Sequence, residues 1–170
     1  MPIATSDGMS WKRNGRSWQH EETRLNKPFW EGKTLAEMSD AEWESLCDGC
    51  GRCCLYKFQD EDSDEMFFTN VACTLFDADT CQCGNYEKRF DSVPECADIR
   101  KFTKREYQWL PERCAYRLLF EGKKLKPWHP LISGDPESVH QAGVSMRGRA
   151  IGEDDADLEK LEDYIVEELI

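Results

Sequence analysis

Eight cysteines fall within fifty residues of this chain. Cys47, Cys50, Cys53 and Cys54 form a C-x2-C-x2-C-C run, and Cys73, Cys81, Cys83 and Cys96 follow it. Thiolates are soft ligands that suit zinc, copper(I) and iron–sulfur clusters. A C-x2-C spacing lets two sulfurs converge on one ion from a tight turn whose amides hydrogen-bond to sulfur. Gly49 and Gly51, on either side of Cys50, give the backbone the freedom such a turn needs. One such pair alone would say little. The full run, joined by a C-x-C pair and by Cys96 shortly after Pro94, points to metal.

The residues leave the metal open. Three cysteines at C-x2-C-x2-C with Cys96 as a remote fourth follow the ligand logic of a [4Fe–4S] centre. Zinc is served equally by four tetrahedral sulfurs, for instance a Cys50/Cys53 pair with a Cys81/Cys83 pair, and metal-free thiol chemistry is a third reading. Neighbours Cys53 and Cys54 are expected to point apart, so that one ion does not use both. Eight thiols fill two four-sulfur sites, or fill one and leave a redox-active remainder. Four thiolates outweigh a dipositive centre by two charges, which Arg52, Lys57, Tyr86 and Arg89 are placed to offset or hydrogen-bond. The same four also read as packing or surface residues. Cys114, among Tyr116, Leu118 and Leu119, reads as a buried structural thiol. His129 and His140 read as ordinary hydrogen-bonded histidines.

The elements that must position these thiols have signatures of their own. Ser39 followed by Glu42 is a capping box, opening a helix over 40–47 that carries Trp43, Leu46 and Cys47 at helical spacing. Leu55–Gln59 and Glu65–Val71 flank the acidic turn 60–64 and read as a β-hairpin returning the chain from Cys54 to Cys73. That turn lacks the glycine and terminal glutamate of a calcium loop. Residues 72–99 have little regular pattern and read as a metal-organised loop. Thr103 with Glu106 is a second capping box, and Pro111 opens a helix to about Glu121, closed by Gly122. Residues 128–136 read as irregular, and Val144 to Ile151 as a short strand. Leu158, Leu161, Ile165 and Leu169 repeat with a helical period.

Composition narrows the classes. Only 39% of residues are apolar and 33% are charged, so the core is modest and metal is a plausible reinforcement. The net charge of −12 argues against nucleic acid and against an anionic membrane surface. No stretch is apolar enough for a signal peptide core or a membrane span. The odd count of nine cysteines argues against complete disulfide pairing, and reduced thiols imply a cytoplasmic setting. There is no phosphate-binding glycine loop, dinucleotide fingerprint or G-x-S-x-G elbow. The sequence therefore names no catalytic residue.

The run Cys47 to Cys54, then Cys73, then Cys83-x2-Tyr86-x2-Arg89 and Cys96, resembles the CxxCxxCC (YkgJ-like) family of zinc- or iron-chelating cysteine-cluster proteins, and within it the YcgN-type bacterial members. The resemblance runs from about Lys27 to Ile151 and includes Phe67 to Cys73 and Trp128 to Leu131. A relative in that family is a flagellin lysine methylase whose cysteines are associated with an iron–sulfur centre, so the resemblance implies iron. No methyl-donor module is evident here, and that activity is not implied. This chain has Arg89-Phe90 where many relatives have Arg-Pro, and Pro94 stands in as the local turn former.

Together these readings predict a small α+β domain of short helices, a β-hairpin and irregular loops, organised around a cysteine-ligated metal site. Residues 1–26 are expected as a mobile arm able to dock through Trp11 and Trp18, residues 27–152 as the metal-binding domain, and 153–170 as an amphipathic helix. The expected cofactor is an iron–sulfur cluster or zinc. The expected role is redox or sensing chemistry, with a zinc-stabilised interaction module or a reversible iron- or zinc-handling protein as alternatives. A protein partner fits each of these roles.

Overall fold

The computed structural model describes residues 27–166. The chain divides into two units, Met1–Lys33 and Thr34–Ile170. In the described part of the first, Phe29–Gly32 forms helix α1, whose opening carbonyl at Pro28 accepts from the N–H groups of Glu31 and Gly32. Phe29 and Trp30 meet edge to face, with ring centroids 5.0 Å apart. The arm expected over 1–26 lies outside the described residues.

The second unit is a mixed α+β structure with short helices and small sheets. A 3-10 turn, Leu35–Glu37, leads into α2 (Asp40–Glu44), and both open on capping boxes. At α2 the Ser39 hydroxyl accepts from the Glu42 N–H while the Glu42 carboxylate accepts from the Ser39 N–H at 2.8 Å. The helix is shorter than the expected 40–47, because Leu46 and Cys47 donate three residues back and tighten its end. Trp43 and Leu46 are buried nonetheless, so the element that delivers Cys47 is anchored.

Strands β1 (Leu55–Gln59) and β2 (Met66–Ala72) form the expected antiparallel hairpin, with an irregularity between Leu55 and Lys57. Asp60 Oδ1 accepts from the N–H groups of Asp62 and Ser63, which gives the acidic turn a structural role. A second, two-residue hairpin pairs β3 (Phe76–Asp77) with β4 (Gln82–Cys83). Leu55, Phe68, Ala72, Cys81 and Met146 form a core cluster between these elements.

The remaining helices are α3 (Arg89–Ser92), α4 (Ala115–Phe120), α5 (Pro130–Ser133) and α6 (Ser138–Gln141). The helix expected from Pro111 begins only at Ala115. Cys114 precedes it in extended backbone, with its N–H bonded to the Pro111 carbonyl. Of the strand expected over 144–151, only β5 (Ile151–Gly152) forms, parallel to β2.

The amphipathic helix expected over 153–170 is not what the described residues adopt. They form two 3-10 segments, Glu153–Asp155 and Leu158–Tyr164, the second kinked at Lys160. Ile165 then bridges to Thr69, and Val166 donates to the Phe68 carbonyl. Pairing with β2 demands extended backbone at Ile165, and this overrides the helical spacing of the leucines.

Candidate metal centre

The cysteine run is built on two left-handed glycines. Gly49 has φ 72° and Gly51 φ 77°, a region open to glycine and costly for other residues. At Gly51 there is a second constraint, since a Cβ would lie 2.6 Å from the Phe76 ring. The turns aim backbone N–H groups at sulfur: Gly49 donates to Cys47 and Arg52 donates to Cys50. Arg52 opens the 3-10 turn Arg52–Cys54 that carries the next two cysteines. Two distant contacts hold the run from outside. The Met146 N–H donates to the Cys50 carbonyl at 2.8 Å, and the buried Arg52 Nε donates to the Val144 carbonyl at 2.8 Å.

Cys114 comes to the same place from α4. The Tyr116 hydroxyl donates to the Trp43 carbonyl at 2.9 Å, tying α4 to α2. The Cys114 sulfur accepts from the N–H groups of Tyr116 and Arg117. Burial comes first in pushing up the thiols of Cys47, Cys50 and Cys114, followed by neighbouring negative charge at Cys53 and Asp48. Cys47 reaches about 12, although the residue still shows surface to solvent. Asp48 is buried and its Oδ1 accepts from the Cys50 N–H at 3.1 Å.

Cys53 behaves differently. Its thiol is held down to about 7, first by the Cys54 S–H donating to it and then by the Lys57 ammonium, against the cost of burial. Lys57 Nζ also donates to the Cys53 carbonyl at 3.1 Å. The two neighbouring sulfurs were expected to diverge, yet they are in hydrogen-bonding contact. Within the pair, Cys54 keeps the proton and its pKa is pushed far up.

A second group gathers on the other side of Cys54. The Cys73 N–H donates to the Cys54 carbonyl at 3.1 Å where β1 and β2 begin to pair, and the Leu75 N–H donates to the Cys73 sulfur at 3.4 Å. The Gly84 N–H returns to the Leu75 carbonyl at 2.7 Å and places Cys83, in β4, beside the same turn. Cys54 feels the charges of Cys73 and Cys83. Burial raises Cys96, Arg89 lowers it, and Cys73, Cys83 and Cys53 raise it again. Arg89 lies 3.9 Å from the Tyr86 ring centroid and 4.3 Å from that of Phe90, so its guanidinium is held by stacking. The Tyr86 hydroxyl donates to Glu44 at 2.9 Å, a bond between the second group and α2.

The predicted site residues thus have different surroundings. Cys47, Cys50 and Cys53 lie together, as do Cys54, Cys73, Cys83 and Cys96. Arg89 faces Cys96, while Arg52 braces the loop and Tyr86 ties it to α2. Cys81 lies in the apolar core with φ 58°, close to Met146 and Ser145, and burial pushes its thiol up. The charges that act on it most are those of Arg147, which lowers it, and Asp77, which raises it.

The sequence reading took Cys114 for a buried structural thiol and did not single out Asp48. The C-D-G-C order was the available signal for Asp48, and the position of Cys114 just ahead of the helix was the signal for the other. His129 Nε2 lies 2.9 Å from the Leu46 carbonyl and its Nδ1 accepts from the Leu131 N–H, while His140 Nδ1 lies 2.7 Å from the Ser145 hydroxyl. Both histidines are spent on the fold.

The donor set suits a thiophilic metal. All nine cysteines are free, several sulfurs already accept N–H groups as metal thiolates do, and Lys57 and Arg89 face the set. Among the described residues, no three His, Cys, Asp or Glu side chains are gathered at the spacing of a single ion.

Comparison with known proteins places this site in a family. The CxxCxxCC family, described as a "Putative zinc- or iron-chelating domain", matches residues 46–115, a span holding all nine cysteines. A UPF0260 protein of Rhizobium johnstonii is 56% identical over 140 residues, covering 82% of this chain and 89% of that protein. One from Granulibacter bethesdensis is 56% identical over 139 residues, covering 82% of each chain. One from Sinorhizobium fredii is 52% identical over 139 residues, covering 82% of this chain and 90% of the relative. No solved structure matches the chain. With more than half of the aligned residues identical over 82% of its length, the chain belongs to the UPF0260 proteins, and residues 46–115 match the CxxCxxCC domain.

Proposed function

We propose that this is an iron–sulfur protein, with a cysteine-ligated cluster of the [4Fe–4S] type serving a redox or sensing role in the cytoplasm. The observation that carries the reading is the gathering of thiols around Cys53 and Cys54, with backbone N–H donors and two cations directed at them. The C-x2-C-x2-C spacing with a remote fourth cysteine supports a cluster in particular, in which each cysteine binds its own iron. Such a centre takes up and releases single electrons, while the N–H groups and Lys57 and Arg89 tune the charge it carries.

Zinc is the second reading, favoured by the family description, which names both metals. In that case the ion would stabilise a small interaction module, or be held reversibly, and the acidic surface would meet a basic protein partner. Anaerobic purification followed by absorption spectroscopy and analysis of iron, sulfide and zinc separates the two. A brown protein with matching iron and acid-labile sulfide is expected. A colourless protein with tightly held zinc and no sulfide would sink the cluster.

A further inference from the structure

The six thiols that surround the Cys53–Cys54 pair divide by their tethers. Cys47 hangs from α2, Cys114 from α4, and the Tyr116–Trp43 hydrogen bond of 2.9 Å joins those helices. Cys50 and Cys53 enter the same space from the glycine turns. On the other side, the Cys73 N–H donates to the Cys54 carbonyl at 3.1 Å just outside the β1–β2 hairpin, and the Gly84–Leu75 bond of 2.7 Å brings β4 and Cys83 beside Cys73. Cys96 follows α3 and is near enough to feel Cys73 and Cys83 and, more weakly, Cys53. Cys81 packs with Leu55, Phe68, Ala72 and Met146, its sulfur against the Gly51 backbone.

We propose that the chain carries two four-thiolate centres meeting at the Cys53–Cys54 peptide. Cys47, Cys50, Cys53 and Cys114 hold one, Cys54, Cys73, Cys83 and Cys96 hold the other, and Cys81 is a core residue. This rests on the reading of the cysteines as metal ligands and sharpens it. Each set has its own sulfur-directed amides: those of Gly49, Arg52, Tyr116 and Arg117 in the first, and that of Leu75 in the second. The first set also has the Asp48 side chain, which accepts from the Cys50 N–H, and Lys57 beside it, whereas the second has Arg89. The two centres therefore sit in unequal fields and differ in the ease with which each gains an electron or loses its metal.

The test is metal and sulfide counting on the full-length chain, reconstituted anaerobically with ferrous iron and sulfide and, in parallel, loaded with zinc. For clusters, about eight irons and eight sulfides per chain are expected. Cys114→Ser and Cys96→Ser should each halve that content, and Cys81→Ala should leave it intact. Should Cys114→Ser fail to fold, Cys47→Ser interrogates the same set. Two zincs per chain with no cluster, halved by the same variants, would uphold the partition and sink the iron reading. A single centre in the wild-type chain, or loss of all metal in either single variant, overturns the partition and leaves metal binding standing. Failure of Cys81→Ala to keep its metal while remaining folded also overturns it. A folded chain that takes up neither metal sinks both.

Discussion

Cys53 is the residue through which the site's chemistry shows most directly. Its thiol lies near 7 because Cys54 donates a hydrogen bond to it and Lys57 stands close, whereas Cys47 reaches about 12 under burial. In the metal-free, reduced chain at neutral pH, Cys53 is therefore the thiol with substantial thiolate character. Limiting alkylation followed by peptide mass mapping should find Cys53 labelled first. Lys57→Met should slow that labelling several-fold, since removing the ammonium raises the thiol. Labelling spread evenly over the run would show that the Cys54 donor and Lys57 do not act as described. The neighbouring placement of Cys81 and Cys83 teaches a related lesson. Two residues apart on an extended strand share a face, so the sequence reads them as a chelating pair. Cys81 instead precedes β4 at φ 58°, and that turn directs its sulfur into the core.

At the level of elements, the glycine turns and the α2–α4 tie decide whether the thiols converge. Gly49→Ala meets open space and is expected to cost about 1 kcal/mol for its left-handed backbone. Gly51→Ala adds a clash with the Phe76 ring and is expected to cost about 2–4 kcal/mol, with loss of metal content. Denaturant unfolding of both variants checks the order, and equal costs would show that Phe76 moves aside freely. Tyr116→Phe removes the hydroxyl that holds the Trp43 carbonyl. It should cost about 1 kcal/mol and weaken metal retention against a chelator. These elements were unequally legible. The Ser39–Glu42 box, the 55–72 hairpin and the glycines around Cys50 rest on local rules, and the structure follows them. Cys114 and the segment beyond Glu153 depend on distant partners, Trp43 in one case and Thr69 in the other, which no local spacing records.

For the whole molecule, metal loading reverses the response to pH. The thiols of Cys47, Cys50 and Cys114 titrate above their ordinary 9.0 in the folded chain. The unfolded chain releases those protons first, so the stability they contribute is present below about pH 9 and lost as pH rises through about 12. In the loaded protein the same sulfurs are deprotonated ligands, and protons compete with metal as pH falls. Unfolding midpoints measured across pH should fall toward the alkaline side without metal and toward the acid side with it. Parallel curves would mean that these thiols are not ligands.

The clasp between the cysteine run and residues near Val144 also bears on how the protein is made. The Cys50 carbonyl and the Arg52 side chain find their partners at Met146 and Val144. A nascent chain has exposed every cysteine before those partners emerge. The run then begins life as a supple peptide, open to thiol exchange or to a passing ion. Contacts so distant in sequence close late in folding, which sets the arrival of the 144–146 segment as the moment when the thiols stop being a loose chelator and become a shaped receptacle.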